Sequence, residues 1–156
     1  MPITDTDHAP MRAAIAASAE ALAAGNMPFG ATLVDAAGVQ RWVAQNNQVT
    51  TGDCTGHAEM VLVRDAAKAL GAPALRGATV YASGEPCAMC AGAMFWAGIR
   101  RVVFAAPQDD LGRLLGGDLL PIRSAQTYAG ASPAVQVDGP LLADEAIAVL
   151  RRATPA

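Results

Sequence analysis

Apolar and polar positions along this chain change their period several times, and each change marks an element. From Met11 to Ala24, Ile15, Ala19 and Leu22 recur at the spacing of one helical face, and Gly25-Asn26 supplies a stop. After the loop Pro28-Phe29-Gly30 the period shortens. Ala31 to Val34 predicts a strand, Asp35-Ala36-Ala37-Gly38 a hairpin turn, and Arg41 to Gln45 the returning strand. Asn46 to Gly56 is polar, rich in Thr, Asn and Gly, and reads as an irregular loop. From His57 to about Leu70 a helix places Leu62, Val63, Ala66 and Leu70 inward and Arg64, Asp65 and Lys68 in water; Gly71-Ala72-Pro73 ends it. Thr79 to Ala82 reads as a strand and Ser83 to Pro86 as a strand-to-helix turn. Cys87 opens a nearly uncharged helix to about Ala97, and Arg101 to Ala105 is a further strand. Beyond Pro107 the pattern weakens. Asp109 to Asp118 reads as a short helix and loop, Ala134 to Val137 as an edge strand, and Leu141 to Arg152 as a last helix that buries Ile147 and Leu150. Strand and helix alternate through the middle of the chain, which predicts an α/β fold with a sheet covered on both faces.

Composition narrows the class. A chain of 156 residues suits one domain, 1–156, and 53% hydrophobic against 16% charged residues is ample material for a core. The longest apolar run, Cys87 to Ile99, falls short of the roughly 18–20 residues of a membrane span and reads as a buried helix. Met1-Pro2-Ile3-Thr4-Asp5 lacks the basic and apolar regions of a signal peptide, and three cysteines make no disulfide framework. These features predict a cytoplasmic protein with no membrane partner. Binding to a polynucleotide is driven by Lys and Arg on phosphates. With a net charge of −3 and just two arginines in the final stretch Arg151 to Ala156, a nucleic-acid partner is not expected.

The candidate chemistry gathers in two short stretches. His57, Cys87 and Cys90 are soft metal ligands, and Glu59 stands two residues after the histidine. A structural zinc site is usually closed by four protein ligands, whereas a catalytic one keeps three and leaves a position for water, whose pKa falls to about 7. A carboxylate beside such a site can shuttle protons from water to a leaving group. Cys87 and Cys90 fall at i and i+3 in the first turn of a helix, hence on one face, where the helix dipole favours thiolate. A lone Cys-x-x-Cys is also the pattern of a redox pair or of half a zinc knuckle. The residues by themselves therefore reach a hydrolytic zinc site and no further.

Together, His57-Ala58-Glu59 and Pro86-Cys87-Ala88-Met89-Cys90 resemble the H-x-E…P-C-x-x-C signature of the zinc-dependent cytidine/guanine deaminase superfamily. The resemblance covers roughly residues 10 to 152. It implies a three-layer α/β/α sandwich around a central mixed five-stranded sheet, the cytidine deaminase-like fold. It implies Zn2+ on His57, Cys87 and Cys90, with Glu59 as the catalytic proton shuttle, and an aminated ring as substrate: a small nucleobase or nucleoside. It also implies a homodimer, for which the apolar stretch Ala93-Met94-Phe95-Trp96 is a candidate interface. Substrate contacts carried over from the family fall at Asn46 (with Asn47 adjacent), Phe29, Ala58, Glu85, Asp109 and Asp110. Phe29, within Pro28-Phe29-Gly30-Ala31, either stacks on a ring or is plain core. Glu85 either orients its loop or meets the substrate edge. Guanine presents adjacent N–H donors, so a guanine pocket wants a carboxylate. Where the family's guanine enzymes carry Gly-Phe-Asp, this chain has Leu114-Leu115-Gly116-Gly117-Asp118. Either Asp110 or Asp118 substitutes, or the substrate is another base. Guanine leads, followed by cytosine, adenine and s-triazine-like rings. The other readings are a tRNA adenosine deaminase and a non-catalytic zinc module.

Overall fold

In a computed structural model, which describes residues 1–153, a five-stranded sheet forms the middle layer. Its two inner strands, β3 (Thr79–Gly84) and β4 (Arg101–Ala106), are buried along almost their whole length, which demands cover on both faces. β1 (Gly30–Val34) and β2 (Gln40–Gln45) form the predicted hairpin, closed by Asp35, whose Oδ1 accepts from the Ala37 and Val39 amides at 3.0 Å each. β5 (Gln136–Asp138) completes the order β2-β1-β3-β4-β5. β1 is antiparallel to β2 and β3, while β3, β4 and β5 run parallel, so the sheet is mixed.

The helices, in chain order, are α1 (His8–Ala23), α2 (Gln48–Thr51), α3 (Ala58–Leu70), α4 (Ala88–Ala97), α5 (Gln108–Leu115), α6 (Ser124–Thr127) and α7 (Ala143–Ala153). Successive residues of a strand point to opposite faces, and the core divides accordingly. Val80 and Val102 join Leu62, Met94 and Ile99 in the layer under α3 and α4. Tyr81 and Val103 join Met11, Ile15 and Leu150 in the layer under α1 and α7. Among the described residues no helix is long and apolar enough to cross a membrane.

Three expectations need correction. α1 begins at His8, and its buried face is Met11, Ala14, Ile15, Ser18 and Ala21. The helix turns alanines inward because it lies hard against Gly30, where an added Cβ would stand 2.2 Å from the Ala14 carbonyl oxygen. The loop expected to be irregular holds the short α2, anchored by Asn26, whose Oδ1 accepts from the Val49 and Thr50 amides at 3.0 Å. α4, expected to be buried, buries Cys90, Ala91 and Met94 but leaves Trp96 84% exposed. A helix in an outer layer has one face with nothing to pack on, whatever its sequence.

A buried polar cluster ties the N-terminus to the sheet. Arg101 donates to Asp7 Oδ1 at 2.7 Å and to Asp138 Oδ2 at 2.8 Å, and the Tyr81 hydroxyl donates to Asp7 Oδ1 at 2.5 Å. Burial alone would raise the Asp7 carboxyl, but the donors from Arg101, Tyr81 and the Thr4 amide outweigh it and hold it far below the usual carboxylate range.

Candidate metal site and cavity

Two helix N-termini meet beneath one end of the sheet. His57 caps α3 and Cys87 caps α4, both with extended backbone, and Cys90 lies in the first turn of α4. The Cys87 and Cys90 sulfurs are 3.6 Å apart, and His57 Nδ1 is 3.6 Å from the first and 3.5 Å from the second. Tetrahedral zinc, with bonds of about 2.3 Å to sulfur and about 2.0 Å to nitrogen, spaces its ligand atoms about 3.5–3.8 Å apart. The three donors therefore already form one face of a zinc tetrahedron, with its fourth corner left to no protein group among the described residues.

The electrostatics fit a cation. Hydrogen bonding from Cys90, then from His57, pulls the Cys87 thiol down to about 4. Cys90 is pushed up, by the adjacent Cys87 sulfur first and by burial second. The two sulfurs push each other's charge apart, and a divalent ion between them would remove that repulsion and let both be thiolates. Glu59, the second residue of α3, is 5% exposed. Burial raises its carboxyl, against the opposing pull of its own backbone amide and the Cys90 thiol.

His57, Glu59 and Cys87 open onto a cavity of about 470 Å³, within the range of small-molecule sites. Phe29 and leucines of α5 form apolar walls. Gly84 makes room for them: an added Cβ there would lie 2.8 Å from the Phe29 ring and 3.1 Å from Leu111 Cδ1.

Of the sequence-predicted contacts, Phe29 and Glu85 reach the cavity wall with His57, Cys87 and Glu59; Asn46, Ala58, Asp109 and Asp110 do not. Asn46 is 1% exposed and its amide is consumed locally, donating to Gln48 Oε1 at 2.7 Å and accepting from the Gln48 amide at 3.0 Å. Gln48 lines the cavity in its place. Ala58 is fully buried at the start of α3. Asp109 turns outward to Arg123, and Asp110 pairs with Arg113 one turn along α5. Of the aspartates in this part of the chain, the one at the wall is Asp118, on the segment after α5. Gln108 and Leu120 also line the cavity unannounced; the only hint in the sequence was their place in the stretch after the last strong strand.

Comparison with known proteins follows this geometry. Residues 4–106 match the family described as the cytidine and deoxycytidylate deaminase zinc-binding region. A probable cytosine deaminase of Schizosaccharomyces pombe is 38% identical over 149 residues, 93% of this chain and 90% of that one. A tRNA-specific adenosine deaminase of Haemophilus influenzae is 36% identical over 111 residues; the match spans 71% of this chain and 64% of that one. The guanine deaminase of Nitrosomonas europaea superposes with a TM-score of 0.81 at 25% identity, covering 97% of this chain and 86% of that structure. These relatives handle three different kinds of substrate by name, one of them a tRNA. The low count of basic residues therefore does not exclude a nucleic acid.

Proposed function

The chain belongs to the cytidine and deoxycytidylate deaminase zinc-binding family, and from that premise we propose that it hydrolyses an exocyclic amine on a small free base, guanine first, releasing ammonia and leaving a carbonyl. The observation that carries the reading is the juxtaposition of the His57-Cys87-Cys90 triangle with a buried carboxylate, Glu59, on one wall of a base-sized, largely apolar cavity.

A zinc ion held by His57 Nδ1 and the two thiolates supplies Lewis acidity for hydrolysis at neutral pH. Glu59, buried beside the ligands, takes as a carboxylate the proton of the attacking water and returns protons to the ring nitrogen and the departing ammonia. The C–N bond breaks as the new C–O bond becomes a carbonyl, so water and amine give carbonyl and ammonia. Phe29 offers a ring face for stacking and the leucines of α5 exclude water. Asp118, an acceptor at the cavity wall, suits the adjacent N–H donors of guanine; Asp109 and Asp110 are committed to arginines. Cytosine is the second reading, favoured by the relative that matches over nearly its whole length. The whole chain, 1–156, is read as one cytoplasmic deaminase unit. It pairs with a second copy through the outer face of α4, where Trp96 stands edge-on to Phe95 and is open to solvent.

The test is ammonia release by zinc-loaded protein across guanine, cytosine, adenine, their nucleosides, ammeline and a tRNA anticodon stem-loop. Turnover of one free base, lost in Glu59→Ala, supports the reading. Turnover confined to the stem-loop overturns it in favour of tRNA editing.

A further inference from the structure

Glu85 has a buried carboxylate, its side chain 6% exposed, which the deamination chemistry leaves unused. Its oxygens accept from two backbone amides that are distant from it in sequence, and Oε2 also lies 3.6 Å from Arg123 Nη1. The Gln108 amide donates to Oε2 at 2.9 Å, and the Ser124 amide to Oε1 at 3.4 Å. Gln108 is the first residue of α5 and Ser124 the first of α6. Both donors are among the amides that a helix start leaves without a partner, so each helix needs an acceptor, and a single carboxylate provides for both.

The stretch between these two points, 109–123, forms a whole side of the cavity through Leu111, Leu115, Asp118, Leu119 and Leu120. Its middle contains Gly116 and Gly117, both at positive φ, and the stretch has few fixed points beyond the pairs that Arg123 makes with Asp109 and Glu85. One is the Gln108 side chain, whose Nε2 donates to the Leu120 carbonyl at 2.5 Å. Another is the Ser124 hydroxyl, which donates to the Pro86 carbonyl at 2.7 Å. Both ends of the wall thus converge on Glu85-Pro86, immediately before the ligand Cys87. The metal triangle and the opposing wall are registered against each other through two residues of chain.

We propose that Glu85 is a positioning residue: its carboxylate hangs the 108–124 wall by both ends at a set distance from the metal site, and so decides how closely the cavity fits the substrate ring. This rests on the cavity being the base site, and of the two readings the sequence leaves open for Glu85, orienting its loop or meeting the substrate edge, it takes the first and extends it to the opposite wall.

The test uses zinc-loaded, full-length protein. Glu85→Gln keeps the shape but lets an NH2 group face an amide donor. Ser124→Pro deletes one of the two donors while sparing the backbone. Arg123 already has φ −83° and ψ 158°, the region required before proline, and a first helical position accepts proline. Ser124→Ala controls for loss of the hydroxyl. Hydrogen exchange of the 109–123 amides should rise about ten-fold in Glu85→Gln, and rise more in Ser124→Pro than in Ser124→Ala, with α1 and α7 unchanged. KM for the turned-over base should rise about ten-fold while kcat stays within about three-fold, and the Glu85→Gln/Ser124→Pro double variant should be no worse than its weaker parent. Unchanged exchange in 109–123 overturns the proposal. So does a collapse of kcat without a change in exchange, which would make Glu85 a substrate contact. If no base is turned over, the deaminase reading fails while the exchange measurement still decides the role of Glu85. If Glu85→Gln does not fold, the Ser124 pair decides it.

Discussion

At the scale of single residues, two carboxylates are assigned opposite duties by where they sit. Glu59 is buried beside the metal ligands, and its removal should leave them intact. Glu59→Ala is therefore expected to bind one zinc per chain, checked by metal analysis, while turnover falls about 10²- to 10⁴-fold. Loss of zinc in that variant would make Glu59 a ligand instead. Asp118 lines the cavity wall and, on the proposed reading, accepts from the ring's donors. Asp118→Asn should raise KM for guanine about ten-fold and leave cytosine almost unaffected, because a buried donor left without an acceptor is costly. Asp109→Asn and Asp110→Asn should each change kinetics by less than about two-fold, since exposed ion pairs contribute little. A larger effect from either would return the acceptor role to them.

At the scale of elements, close approach does what side-chain chemistry does elsewhere. β3 ends in Gly84 because Phe29 and Leu111 occupy the space of a Cβ. Gly84→Ala should cost about 1–3 kcal/mol by denaturant unfolding and shift the Phe29 ring into the cavity, raising KM as well. Equal stability would mean that the ring yields freely. α1 shows the same effect on a larger element. Its alanines pack inward on Gly30, and a face built of alanine leaves little trace in a hydrophobic pattern, so the predicted face of Ile15, Ala19 and Leu22 was rotated from the observed one. α3 and α7 carried larger residues with clear wet sides, and Leu62, Ala66, Ile147 and Leu150 fall inside as expected.

At the scale of the whole molecule, the Asp7-Tyr81-Arg101-Asp138 cluster joins the start of the chain to three strands. Asp7 has a folded pKa held far below its ordinary 3.8. Its contribution is complete at neutral pH. As pH falls below about 3.8 the unfolded chain takes up the proton and the native one does not, so stability declines progressively through that range and on toward the depressed native value. Asp7→Asn should be less stable at pH 7 yet show a shallower loss below pH 4 than the parent at equal zinc loading, measured by thermal melts. Parallel acid limbs would remove Asp7 from the account. Assembly belongs to this scale too. Trp96→Glu should convert a dimer to a monomer in light scattering without altering zinc content, and a monomeric parent would dismiss the α4 interface.

The sequence by itself determined the metal-ligand set and the order of the longer strands and helices, but not the short α2 and α6. His57, Glu59, Cys87 and Cys90 are legible because each stands at a helix start, where local backbone geometry dictates the direction of a side chain. Strands and helices with large apolar residues are legible because burial has a period. Which loop residue lines the cavity was decided only in three dimensions. Asn46 spends its amide on Gln48, which lines the cavity; Asp109 and Asp110 turn to arginines; and Asp118 comes to the cavity on a segment whose two ends donate to Glu85. A loop's path is set by hydrogen bonds between residues far apart in the chain, and spacing along the sequence carries no record of them.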